Sequence, residues 1–140
     1  MVFIMMRKVI ANCDGASRGN PGKAAIGIVL WDEEHNKLKE HKENLENTTN
    51  NVAEYNSLIK ALELASEHTK EELQVYMDSE VVIKQMNGEY KVKKPHLREL
   101  YDKVKDLQER FEKVTFSNVP RGDRYQEVAD RLANEALDGI

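Results

Sequence analysis

Residues 7–31, RKVIANCDGASRGNPGKAAIGIVLW, decide the fold. Arg7 to Asp14 reads as a strand that ends in a glycine-rich turn from Gly15 to Gly22, with Pro21 marking the bend. Ala24 to Trp31 reads as a second strand and Lys37 to Leu45 as a third, joined by the polar Asp32-Glu-Glu-His-Asn36. Connections this short favour an antiparallel meander. Side chains alternate along a strand, so Asp14 shares a face with Ile10 and Asn12, and Cys13 points the other way into the core.

Beyond the meander the periodicity changes. Thr48-Thr-Asn-Asn51 supplies N-cap chemistry for a helix in which Tyr55, Leu58, Ile59, Leu62 and Ser66 recur at helical spacing. Leu73 to Met77 is a short apolar strand running into Asp78-Ser79, which can cap a helix reaching about Met86. A polar connection leads to Pro95, and a helix from Pro95 to about Phe111 carries Leu97, Leu100, Tyr101, Val104 and Leu107. Val114 to Val119 reads as the last strand, followed by a turn at Pro120–Asp123 and a final helix burying Val128, Leu132, Ala136 and Leu137. Three strands followed by alternating helices and strands predict an α/β fold, a mixed sheet with helices on both faces.

With 140 residues, 33% of them charged and 40% hydrophobic, the chain reads as one globular domain spanning residues 1–140, without repeat or linker. A net charge of -4 excludes a protein that holds nucleic acid by bulk positive charge, so any such contact must be local. The lone Cys13 leaves no internal disulfide and fits a reducing compartment. The apolar Met1–Met6 run is too short for a membrane span and lacks the features of a signal peptide, which gives a cytoplasmic protein with no membrane partner.

Four acids fall where elements begin or end: Asp14, Glu54, Asp78 and Asp130. Asp14 closes the first strand, and Asp78 leaves the C-terminal end of an internal one, where open α/β sheets bind ligands. Glu54 sits in the first turn of its helix, beside the apolar stripe. Asp130 lies early in the last helix, one turn before Asn134. Each has an ordinary alternative. Asp14 can shape a turn, Glu54 can favour a helix dipole, Asp78 can cap a helix, and Asp130 can be a solvated acid beside a Glu127–Arg131 pair. Gathered in one site, however, they repel one another unless a cation holds them, which points to divalent metal. His35, His41, His68 and His96 lack the close paired spacing of a zinc site.

Asp14-Gly-Ala-Ser with Gly19-Asn-Pro-Gly22, then Thr48-Thr-Asn-Asn51 followed by Glu54, then Asp78-Ser79 and Ala129-Asp130-Arg-Leu-Ala133 span nearly the whole chain. In these motifs and their order the chain resembles a type 1 ribonuclease H of the compact bacterial and archaeal form. The resemblance implies a ribonuclease H-like fold with a five-stranded mixed sheet. It also implies metal-dependent endonucleolytic cleavage of the RNA strand of RNA–DNA hybrids, leaving 5′-phosphate and 3′-hydroxyl ends. Asp14, Glu54, Asp78 and Asp130 become the acids of a site for two Mg²⁺ ions, with Mn²⁺ as substitute, Asp14 being shared by both. Hard cations of this kind prefer oxygen ligands and keep several waters. A pair of them about 3.5–4 Å apart serves in-line displacement at phosphorus.

Asn20, Asn50 and Asn51 match minor-groove positions of the family, where amides can meet base edges and the RNA 2′-hydroxyl. Thr49 matches a position near a DNA-strand phosphate, and Ser79 is grouped with these substrate-binding residues. The locally basic Lys84, Lys91, Lys93, Lys94 and Arg98 can face phosphate or simply solvent. Departures from the family pattern also stand out. The loop before Asp130 reads Pro120-Arg-Gly-Asp-Arg124 and lacks the mobile histidine of many members, leaving Arg121 as the functional substitute. Gln126 stands where other members have glutamate, and Glu80 replaces an amide. The expected substrate is an RNA–DNA hybrid, with double-stranded RNA an alternative, and the expected state is a monomer. The contrasting readings are a hybrid-binding domain that cleaves weakly, and another nuclease or polynucleotidyl transferase of the same fold.

Overall fold

The computed structural model describes residues 5–140; the start of the apolar run, at 1–4, lies outside the described residues. Its longest strand, β1 (Met6–Gly19), runs five residues past Asp14, through what the sequence presents as a turn. The Gly, Ala and Ser residues of 15–19 pair antiparallel with β2 (Gly22–Trp31), from Gly15↔Ile26 to Gly19↔Gly22, so only Asn20 and Pro21 form the turn. Glycine is a turn signal in a sequence; here Gly15 answers a different need, described below. β3 (Lys37–Thr48) completes the antiparallel meander and extends to Thr48, beyond the expected end at Leu45.

The chain then crosses over through α1 (Asn50–Ala65) to β4 (Thr69–Met77), which pairs parallel with β1. Next come α2 (Glu80–Met86) and α3 (Pro95–Gln108), then β5 (Lys113–Asn118), parallel to β4, and finally α4 (Gln126–Asp138). The five strands lie in the order β3-β2-β1-β4-β5, a mixed sheet. α3 stops at Gln108, short of the expected Phe111. The last apolar residue of that run, Phe111, instead plugs the larger core from the turn into β5.

Strand parity sorts the core. Val9, Ala11 and Cys13 on β1 pack with Ile26, Ile28 and Leu30 against Tyr55, Leu58 and Leu62 of α1, joined by Val104 of α3. On the opposite face Ile10, Val29 and Trp31 meet Ala129 and Leu132 of α4. Helices therefore cover both faces. Between the apolar contacts on the α4 face lies a buried amide network. Trp31 Nε1 donates to Asn12 Oδ1 at 2.9 Å, Asn12 Nδ2 donates to Gln126 Oε1 at 3.0 Å, and Gln126 Nε2 donates to the Cys13 carbonyl at 2.9 Å. Every polar atom of these two amides that enters the network has a partner, which is what makes their burial tolerable. Among the described residues no helix is long and apolar enough to cross a membrane.

Candidate active site

The last parallel pair of β1 and β4 is Asn12↔Tyr76, and two residues further on stand Asp14, inside β1, and Asp78, just past the end of β4. Adjacent parallel strands thus deliver two carboxylates to one point, just past the end of their pairing. Asp78 stays free for this because Ser79, not Asp78, caps α2, its hydroxyl accepting from Val82 N at 3.4 Å.

Two glycines flanking Asp14 bring in the helices. A Cβ on Gly15 would lie 2.2 Å from the Ala53 carbonyl carbon, and one on Gly27, the cross-strand partner of Asp14, 2.2 Å from the Ala129 carbonyl oxygen. Without those atoms the start of α1 packs directly on one face of the sheet and α4 on the other. Glu54 is consequently buried rather than placed beside the apolar stripe. It is the fifth residue of α1, lying just beyond the expected first turn, and its Oε1 accepts a hydrogen bond from Gly15 N at 2.6 Å. Asp130 enters from α4, held by Asn134 Nδ2, which donates to the Asp130 carbonyl at 2.9 Å and to its Oδ1 at 3.3 Å. The neighbouring Arg131 pairs with Glu135 at 3.0 Å and Glu40 at 3.6 Å rather than with Glu127.

One carboxylate oxygen from each of Asp14, Glu54 and Asp78 lies within 4.8 Å of the others. Asp130 stands outside this triad but lines the same cleft of about 370 Å³, together with Asn50, Asn134, Ser17 and Arg121. Burial, reinforced by the charges of Glu54, Asp78 and Asp130, pushes Asp14 up to about 9. Burial likewise pushes Glu54 up to about 8, against the opposing Gly15 hydrogen bond and the Arg121 charge. Asp78 is raised too, chiefly by burial, with Arg121 counteracting. Clustered oxygen donors whose repulsion one guanidinium leaves largely unmet fit a hard divalent cation.

The sign of the resulting pH dependence is fixed. Carboxylates raised in the folded state bind protons that the unfolded chain has released, so their contribution to stability is greatest below the ordinary carboxylate range, near pH 4. It declines as pH rises through the folded values of about 8 to 9. Thermal melts in a chelator should therefore fall from pH 5 to pH 9, and the slope should flatten in Asp14→Asn. Added Mg²⁺ or Mn²⁺ should raise the melting temperature most at the alkaline end, because the ligands must be ionised. A chelated melt that is flat or rises with pH in the wild type contradicts this electrostatic picture.

A family model described as reverse transcriptase-like matches residues 12–136. Ribonuclease H of Clostridium botulinum is 36% identical over 95% of this chain and 97% of its own length. The chain belongs to the ribonuclease H family. A bifunctional protein of Mycobacterium tuberculosis is 44% identical over 94% of this chain, which spans only 36% of that relative. Among solved structures, LC11 ribonuclease H1 in complex with an RNA/DNA hybrid matches with a TM-score of 0.86 and 41% identity, covering 94% of this chain and 97% of that one.

Against the ribonuclease H pattern, the departures now have physical settings. Gln126 is buried and joins the amide network, and a carboxylate there could not donate to the Cys13 carbonyl as the amide does. Arg121 lines the acidic cleft from the loop where many ribonucleases H carry histidine. Thr49 caps α1, its hydroxyl accepting from Val52 N at 3.3 Å. In the basic stretch Lys84 pairs with Glu80 at 2.7 Å and Arg98 with Asp102 at 3.2 Å, while Lys91, Lys93 and Lys94 lie on the exposed connection between α2 and α3, with Lys94 at the N-cap of α3. Sequence reasoning missed Gly27 and Asn12. A glycine inside a strand is itself a signal of close backbone approach, and Asn12 shares the parity of Asp14.

Proposed function

We propose that the chain is a divalent-metal-dependent endonuclease that hydrolyses the RNA strand of RNA–DNA hybrids to 5′-phosphate and 3′-hydroxyl products. The convergence of Asp14, Glu54 and Asp78, with Asp130 beside them, carries this reading. The likeness to a ribonuclease H1 solved with an RNA/DNA hybrid supports the choice of substrate. The four acids would hold two Mg²⁺ or Mn²⁺ ions, which when bound supply Lewis acidity and an acidified water for in-line attack. Asn20, Asn50 and Asn51 would read the hybrid minor groove, Asn50 from its place in the lining of the cleft. Thr49, which caps α1, would also lie near a DNA-strand phosphate, and Ser79, which caps α2, would bind substrate. The acid cluster cannot attract phosphate by itself, so positioning depends on these amides and on Arg121. The test is cleavage of matched hybrid, double-stranded RNA and DNA duplexes with Mg²⁺ or Mn²⁺. Hybrid should be cut within its RNA strand; inactivity on hybrid with either metal, or equal cutting of DNA duplex, rejects the proposal.

A guanidinium can position phosphate or aid product release but cannot serve as a base, and Arg121 is proposed in that role. Arg121→Ala should lower kcat by about tenfold or more while changing hybrid affinity less, with the pH–rate profile unchanged in shape. Wild-type turnover in Arg121→Ala removes this residue from the reaction.

A further inference from the structure

His35 takes no part in the acidic cleft, yet its backbone is unusual: φ is 60°, in the left-handed region that glycine or asparagine ordinarily fills. Asp32 holds that conformation. Its Oδ1 accepts from Glu34 N at 2.9 Å and from Asn36 N at 2.8 Å, and its carbonyl accepts from His35 N at 3.0 Å. The turn between β2 and β3 thereby stacks the His35 ring on Tyr125, at the start of α4, with centroids 4.1 Å apart and planes 20° from parallel. Trp31 meets the same tyrosine edge-on at 5.2 Å, a favoured aromatic geometry. Strain of this kind persists where the surroundings over-determine it, and here it places a ring.

Tyr125 ends the loop that carries Arg121. Inside that loop the hydrogen bonds are local: Asp123 N donates to the Pro120 carbonyl at 3.1 Å, and Asp123 Oδ2 accepts from Tyr125 N and Gln126 N, each at 3.1 Å. At the β5 end Val119 N donates to the Met77 carbonyl at 2.9 Å. Between these points the sheet offers less support, because a cavity of about 360 Å³ is lined by Gln74 and Tyr76 of β4 as well as by Val119, Asp123 and Tyr125. We propose that His35 is a positioning residue, which clasps Tyr125 from the β2–β3 turn and so holds the 120–125 loop with Arg121 in the lining of the acidic cleft. The inference rests on the role in turnover given to Arg121 above.

Two substitutions separate the ring from the turn. His35→Gly relieves the left-handed backbone but loses the stack, whereas His35→Phe keeps an aromatic ring at the strained position. His35→Asn, which also tolerates that backbone without supplying an aromatic ring, should match His35→Gly. In the free protein, NMR relaxation of the backbone amides should show Arg121 and Gly122 losing order in His35→Gly and keeping near-wild-type values in His35→Phe. Unchanged relaxation in His35→Gly overturns the proposal. With hybrid and Mg²⁺, His35→Gly should lower kcat by roughly three- to tenfold with KM little changed, and His35→Phe should restore it. A residue that merely shaped its turn would give the reverse order, because glycine suits that backbone better than phenylalanine. On an Arg121→Ala background His35→Gly should cost little more, since residues acting through one group are not additive. Additive losses assign His35 a separate route to the site and overturn the proposal. Wild-type turnover in Arg121→Ala overturns the reading of Arg121 itself, and the relaxation arm separates that outcome from failure of the clasp.

Discussion

Asp14→Asn and Asp78→Asn should each abolish hybrid cleavage while leaving a protein at least as stable as the wild type when metal is absent. The two effects have opposite signs because the same charge would serve the proposed reaction and strains the fold. Metal-based charge stabilisation is worth several kcal/mol, and at about 1.4 kcal/mol per tenfold its loss lowers the rate by at least about a hundredfold. In the apo state, by contrast, Asp14 is buried among Glu54, Asp78 and Asp130, which raise its proton affinity. Keeping that site folded at neutral pH costs on the order of a few kcal/mol for the proton it must take up, a cost an amide does not carry. Hybrid cleavage assays and chelated thermal melts on the two variants measure both halves. Substantial cleavage by either pure variant would falsify its place in the chemistry, and a marked drop in apo stability would show the acid cluster to be a structural asset instead.

Gly15→Ala and Gly27→Ala should damage stability and activity together, although each adds a single methyl group far smaller than most substitutions. The added carbon at either position would meet helix backbone at 2.2 Å, and backbone cannot swing aside as a side chain can. Forcing extra volume into a packed interior costs about 1–3 kcal/mol, paid by displacing α1 from one face or α4 from the other. Glu54 travels with α1 and Asp130 with α4. A misplacement of about 1 Å in a reacting constellation can cost roughly a hundredfold in rate. Urea denaturation and cleavage rates should therefore both shift in each variant. Full activity in Gly15→Ala would show that α1 can move without disturbing Glu54.

Much of the architecture was legible because it depends on local rules. Alternation along β1 assigned Cys13 and Asp14 to opposite faces, and the short connections indicated the meander. The N-cap chemistry of Thr48–Asn51 located the start of α1, and the structure makes Thr49 the capping residue. What escaped depends on partners distant in sequence. Gly15 looks like turn chemistry until α1 is packed against it, and the burial of Glu54 follows from that contact. Whether Asp78 or Ser79 caps α2 is decided by the path of the chain leaving β4, and the outcome frees Asp78. Arg131 chooses Glu40 and Glu135 because β3 lies across from α4, which spacing along one helix cannot express. The amide network of Asn12, Trp31 and Gln126 joins three elements, and no one segment displays it.

Cys13 has a use that follows from its seclusion. It is fully buried beneath α1, and burial pushes its thiol well above the ordinary value, so the native molecule offers a modifying reagent neither access nor thiolate. Labelling must wait for the sheet and helix to part. With reagent in excess and reclosing fast, the rate of thiol modification then counts the rare open molecules under native conditions. The lone thiol is thus a clock for cooperative opening around Asp14, readable in unmodified protein, and metal binding at the neighbouring acids should slow it.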